Sequence, residues 1–316
     1  MTESEISVHV SQPTPVFVLG CPRSGTTLVG GLLGETQWGA AVETQFILKY
    51  FTIASKMNLN DRSDFQRLVK SIVAERAVKQ WGIQWDIEQL FESTEHRNYA
   101  GLVNRICQTR SDQMGVTSWA DKTPHYCLSL SRIVSLREMF PLAKFVFVIR
   151  DGRDVANSLL QKPWGPNNVY QCAEYWRACC ESLMEAMRLC PDDCRLIRYE
   201  QLLQHPESSL RELFKFLDVP DPDSMAAKSA PLMDGSKVGQ WKRRMSARQV
   251  AVFEKTAGNL LAANGYETLH KQKPIGYGSQ MAYRIHDRCK WLAFMFRQNV
   301  VDTIKIRFFG KQPFAE

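Results

Sequence analysis

The sequence predicts an α/β fold in three layers, a central parallel sheet flanked by helices, and three observations carry that prediction. Pro15–Gly20 (PVFVLG) and Lys144–Ile149 (KFVFVI) are apolar without alternation, as expected of strands covered on both faces. Helix-period segments separate these runs, which is the order that joins parallel strands by helical crossovers. The first run ends in glycine and opens the turn Gly20-Cys-Pro-Arg-Ser-Gly-Thr-Thr27 before a helical segment, a strand–loop–helix unit of phosphate-loop type.

The remaining elements follow in order. Residues 1–14 are polar and read as a disordered arm. Thr26–Leu33 has helical character, and residues 45–115 are mostly helical with polar breaks at Asn58–Asp61 and Glu92–Thr94. Val116–Ala120 is expected as a second strand, and a helix over 129–140 stops at Pro141. Helices are expected over Arg153–Leu160 and Val169–Leu189, then a short strand at Arg195–Arg198 and a helix from Pro206 to about Leu217. Gly235–Ser246 reads as a basic loop, and a helix over Ala247–Asn264 ends at Gly265. A break near 270–280 divides a main domain, 15–270, from a basic aromatic extension, 271–316. The helical insertion at 45–115 is expected on the acceptor side of any site.

Composition narrows the function. The 316 residues carry 40 Lys+Arg against 33 Asp+Glu, a net charge of +7, with 44% hydrophobic residues, which excludes collagen-like and wholly disordered chains. No apolar run reaches the roughly 18 residues of a membrane span, and the N-terminus lacks the apolar core of a secretory signal. Nine cysteines, an odd set, read as reduced thiols of a cytoplasmic protein. Neither Cys179–Cys180 nor Cys190 with Cys194 has partners at zinc spacing, so no metal is expected. From Tyr266 onward there are nine Lys/Arg and four Asp/Glu, and the same tail carries Trp291, Phe294, Phe296, Phe308 and Phe309. Such a tail is a solvated face, a helix on an anionic membrane surface, or a packing surface for the domain or a second subunit. Nucleic acid is disfavoured, because no recognition motif accompanies the charge.

The loop at 20–27 matches G-x-x-x-x-G-K-[ST] except that Thr26 replaces the lysine. Its backbone N–H groups and following helix would hold an anion, with Ser24, Gly25, Thr26 and Thr27 as the cradle and Arg23 as a planar cation. Enzymes that use ATP through this loop need the lysine at the β- and γ-phosphates, so its absence disfavours a nucleotide kinase. A second anion site is expected after the Lys144–Ile149 strand. There Arg150 ends the strand and Ser158 follows eight residues later in the next helix. Sites at the carboxyl ends of parallel strands are where open α/β sheets bind ligands. Asp151, Arg153 and Asp154 are expected to cap that helix or form ion pairs.

The pair of motifs resembles the sulfotransferases that use 3′-phosphoadenosine 5′-phosphosulfate (PAPS), with bacterial, tyrosylprotein and heparan members closest in wording over about 15–270. The resemblance implies PAPS as donor and adenosine 3′,5′-bisphosphate (PAP) as product; no metal is expected, since protein cations can neutralise the transferred group's oxygens. PRSGTT at 22–27 resembles the family's 5′-phosphosulfate loop, and Arg150 with Ser158 its 3′-phosphate site. Asp121-Lys122-Thr123 resembles the segment whose lysine contacts the moving sulfuryl group. Arg198-Tyr199-Glu200 resembles the segment whose tyrosine approaches adenine. Gly235–Lys242 resembles the loop closing on the nucleotide, with Ser236 and Lys237 as donors. Leu28 stands where many members stack a tryptophan on adenine, which leaves Trp241 as a substitute.

Sulfuryl transfer needs a base for the acceptor hydroxyl and cations for the charge on the leaving phosphate. Glu43 matches the base glutamate of the tyrosylprotein and heparan branches, its bland alternative being a surface carboxylate at a helix start. His125 is the rival, three residues past Lys122 where the cytosolic branch has two. The expected function is therefore sulfuryl transfer to a hydroxyl, carbohydrate, lipid or other alcohol being favoured over phenol. The alternatives are a phosphate-loop kinase and a non-catalytic scaffold. A homodimer and peripheral contact with the inner membrane face stay open.

Overall fold

A computed structural model describes residues 14–269 and 274–297. Residues 1–13 of the arm expected over 1–14, residues 270–273 and the tail aromatics Phe308 and Phe309 lie outside the described residues. The chain divides into two compact units. One comprises 1–20, 25–149 and 182–233, and the other 21–24, 150–181 and 234–316.

The first unit holds a four-stranded parallel sheet. β1 (Val16–Gly20), β2 (Ala120–Asp121), β3 (Lys144–Ile149) and β4 (Cys194–Arg198) lie in the order β2-β1-β3-β4. Val16 pairs with Lys144 and Gly20 with Val148, while Phe145 pairs with Cys194 and Ile149 with Arg198. Helices flank the sheet. Val16, Val18, Val146 and Val148 share a core with α1 (Thr26–Leu32), α10 (Tyr199–Gln204), α11 (Pro206–Phe216) and α12 (Pro222–Ser229). The intervening side chains stack as rings: Phe17 lies 5.4 Å from Phe145 and edge-on to Trp119 at 5.6 Å. Burial on both faces explains why these strands show no polar alternation.

The insertion consists of α2 (Phe46–Ala54), α3 (Arg62–Val73), α4 (Arg76–Lys79), α5 (Ile87–Ser93) and α6 (Tyr99–Met114). The second strand is shorter and later than the sequence predicts. Gly115, in the left-handed region at φ 70°, closes α6, and the Val116 amide bonds back to the Ser111 carbonyl. The Ser118 amide goes to Gln37, so pairing with β1 waits until Ala120. α7 (Leu130–Met139) precedes β3.

The second unit contains α8 (Gly152–Leu159), most of α9 (Val169–Leu189), the short α13 (Trp241–Arg244), α14 (Ala247–Ala263) and α15 (Tyr277–Phe296). The expected loop at 235–246 thus contains a helical turn. Gly152 is required by crowding, since a Cβ there would stand 2.4 Å from the Phe253 ring and 2.6 Å from Trp176. No helix among the described residues is long and apolar enough to cross a membrane.

Candidate active site

In the first unit the segment 42–45 lies along β2. Val42 bridges Asp121 in parallel, and the Lys122 amide donates to the Val42 carbonyl at 2.7 Å. Asp121 is fully buried and ties the two strands together. Its carboxyl accepts from the Thr44 and Thr123 amides at 3.0 and 2.9 Å and from the Thr123 hydroxyl at 2.7 Å. Burial nevertheless pushes its pKa up to about 6. Gln45 takes φ 54°, a left-handed conformation that favours glycine, and its amide donates to Thr123 Oγ1 at 3.3 Å.

This frame brings Glu43 to Lys122. Lys122 Nζ donates to Glu43 Oε1 at 2.5 Å, and Gln45 Nε2 to Oε2 at 3.0 Å. Burial works to raise the Glu43 pKa, but the bonds from Lys122 and Gln45 and the Lys122 charge hold it below the ordinary glutamate value. The carboxylate is thus charged at neutral pH, and its side chain keeps 39% exposure. Glu43 lines a cavity of about 440 Å³ with Trp81, Arg110, Gln80 and Gln113. His125 lines another, about 480 Å³, with Gln45, Tyr126 and Arg132. Burial and the Arg132 charge lower its pKa.

Glycines govern the loop around β1. A Cβ on Gly20 would meet the Val148 carbonyl at 2.5 Å, and one on Gly25 would meet the Tyr199 ring at 2.3 Å. Gly25 also has φ 100° and begins α1, whose first N–H groups no side chain caps. Thr26 is buried, Thr27 exposed and Tyr199 buried.

In the second unit Arg23, Arg150 and Ser158 come together. Arg23 Nε donates to Ser158 Oγ at 3.0 Å, and Arg150 Nη1 to the Arg23 carbonyl at 3.5 Å. Arg23 stands at φ 76°, a strained position held by its neighbours. The buried Ser24 hydroxyl has no hydrogen-bond partner, which suits an anion at this loop. Arg150 Nη2 also donates to the Lys237 carbonyl, so Lys237 meets the cluster through its backbone while its side chain is exposed. The Ser236 side chain lies outside the described residues. Trp241 is buried, with the Arg153 guanidinium 3.8 Å from its ring centroid.

Sequence reasoning missed the anchors. Asp154, expected only to cap or pair, accepts from the Gly239 amide at 2.7 Å and the Trp241 amide at 2.8 Å and lies 3.4 Å from Arg150. Its spacing of four from Arg150 was the available signal. Asp151 caps α8 through the Arg153 amide and pairs with the Arg153 side chain, which also reaches Glu254 at 2.7 Å. Gln45 and Thr123 had no motif to mark them. Among the described residues no group of three or more His, Cys, Asp or Glu could hold a metal ion.

The chain is similar to protein-tyrosine sulfotransferase A of Caenorhabditis elegans, 26% identical over 221 residues that cover 66% of this chain and 51% of the relative. The protein-tyrosine sulfotransferase of Drosophila melanogaster is 28% identical over 217 residues, 66% of this chain and 39% of that one. The chain therefore spans about half or less of the length of these relatives. Its fold resembles the sulfotransferase domain from the curacin biosynthetic pathway, with TM-score 0.52 and 16% identity over 81% of this chain and 99% of that domain. The sulfotransferase family model matches residues 15–223, the stretch that carries the phosphate loop, Glu43, Lys122, Arg150 and Ser158, and the chain belongs to that family.

Proposed function

We propose that this chain is an enzyme that transfers a sulfuryl group from PAPS to an acceptor hydroxyl, with Glu43 as base and Lys122 as the cation at the leaving phosphate. The observation that carries this reading is the 2.5 Å contact of Lys122 with Glu43, on a carboxylate that also lines an open cavity. Glu43 is ionised at neutral pH and can take the acceptor proton. The acceptor oxygen then bonds to sulfur, the bond from sulfur to the 5′-phosphate oxygen breaks, and Lys122 with the loop amides holds the charge left on PAP. Gly25, Thr26 and Thr27 serve the phosphosulfate, with Ser24. Arg23, Arg150 and Ser158, already clustered, suit the 3′-phosphate and bind rather than catalyse. Tyr199 is the better-supported neighbour for adenine, because the Trp241 ring is covered by Arg153. Ser236 and Lys237 keep supporting roles at the nucleotide, and the reading assigns no metal. His125, on a different cavity wall, is the less supported base.

The sequence favours a carbohydrate, lipid or other alcohol as acceptor. The names of the relatives favour a second reading, a tyrosine side chain of a protein. Donor labelled with ³⁵S, offered to a tyrosine peptide, a simple phenol, a glycan and a lipid alcohol, separates the two. Glu43→Gln should slow transfer to the accepted class by about 10²–10⁴-fold while PAP binds within about twofold of wild type. Undiminished transfer would remove Glu43 as base, and failure to bind PAP would remove the donor.

A further inference from the structure

α15 is unlike the other long helices in having no buried residue. One side of it docks within its own unit. Tyr283 stacks on Tyr170 at 5.5 Å and 15°, Asp287 accepts from the Asn167 amide and side chain at 2.7 and 3.1 Å, and the Tyr283 carbonyl accepts from Asn168. Gln280, Tyr283 and Asp287 are spaced three and four apart and so share that face.

The far side carries Tyr277, Met281, Ile285, Leu292 and Phe296. At 100° per residue these fall in a stripe about 100° wide along a helix about 30 Å long. Ile285, Leu292 and Phe296 are each more than half exposed. Arg284 borders the stripe and Arg288 falls within it beside Tyr277, while Lys290 and Arg297 lie on the opposite side of the helix. Asp287, the helix's one acid, is turned to the docked face. Trp291 is 45% exposed, with the Arg288 guanidinium 5.4 Å from its ring centroid.

We propose that α15 docks the protein on an anionic lipid surface, lying in the interface with its apolar stripe among acyl chains and Arg284 and Arg288 at the headgroups. Charge selects this occupant. A second copy pairing stripe to stripe would bury Arg288, which lies within the stripe, against an apolar face with no acid on it to pair. An anionic headgroup layer offers partners to Arg284 and Arg288, and an exposed tryptophan beside arginine suits that depth. The helix is too polar to span, so it lies on the surface.

The test is flotation of the full chain with phosphatidylcholine vesicles and with vesicles containing about 30 mol % phosphatidylserine. Binding is expected only to the anionic vesicles and should weaken with salt. Arg284→Glu with Arg288→Glu, and separately Ile285→Asp with Leu292→Asp, should each reduce the bound fraction at least about tenfold. Since none of the four substituted residues is buried or makes a contact that docks α15, both variants should unfold at the wild-type temperature, which separates lost docking from lost folding. Equal binding to both vesicles, no binding, or undiminished binding of the variants would overturn the proposal. So would a dimer, seen by light scattering, that the Ile285→Asp, Leu292→Asp variant dissolves.

Discussion

Replacing Asp154 with alanine should release the loop at 237–241 from α8. The Asp154 side chain is 1% exposed and accepts two amides, Gly239 at 2.7 Å and Trp241 at 2.8 Å, with Arg150 at 3.4 Å. Hydrogen bonds to a charged group contribute about 1.5–3 kcal/mol each. Removing one partner of a buried ion pair costs about 3–5 kcal/mol. These costs overlap, because the same carboxylate serves all three donors, so we expect a loss of about 3–5 kcal/mol rather than their sum. At about 2–4 °C per kcal/mol the melting temperature should fall by roughly 6–20 °C. Asp154→Asn keeps one acceptor and should lose about half as much. Urea unfolding measures the total, and amide exchange at Gly239 and Trp241 reads the loop itself. An alanine variant within about 0.5 kcal/mol of wild type, with both amides still protected, would refute the anchoring role.

Other consequences are as specific. Gly25→Ala puts a Cβ 2.3 Å from Tyr199 at φ 100°, so it should destabilise by at least about 2 kcal/mol, and Tyr199→Ala should relieve part of that in a thermal-melt double-mutant cycle. The pH profile of kcat/KM separates the two bases. The Glu43 pKa is lowered, so its base form is lost only as pH falls below the ordinary glutamate value near 4.3, and the acid limb should be absent down to about pH 5. A limb below the ordinary histidine value but above that of glutamate would assign the role to His125, whose pKa burial and Arg132 depress. Arg150→Ala should weaken PAP by about 10–100-fold in calorimetry and leave ADP, which has no 3′-phosphate, little changed.

The sheet was legible because β1 and β3 are buried on both faces and show it as unbroken apolar runs. β2 was not, because two residues of pairing leave no period to read, and the Val116 amide is spent closing α6. The phosphate loop and the Arg150–Ser158 spacing were visible as local patterns. Their joining by the Arg23–Ser158 bond depends on a left-handed Arg23 that no propensity predicts. Glu43 and Lys122, 79 residues apart, were matched only through resemblance. Their contact is made by Asp121 and the Val42 bridge, whose effect exists only once the strands are side by side. Asp154 reads as an ordinary helix-start acid until the distant Gly239 and Trp241 amides arrive.

The most direct test of the donor assignment is a calorimetric titration of the wild-type chain with adenosine 3′,5′-bisphosphate, run beside ADP and ATP with Mg²⁺. Charge-assisted bonds from Arg150 and Arg23 to the 3′-phosphate predict saturable binding at least about 30-fold tighter than ADP, a difference of about 2 kcal/mol. Tighter binding of ATP with Mg²⁺, or no heat with any of the three, would contradict the account.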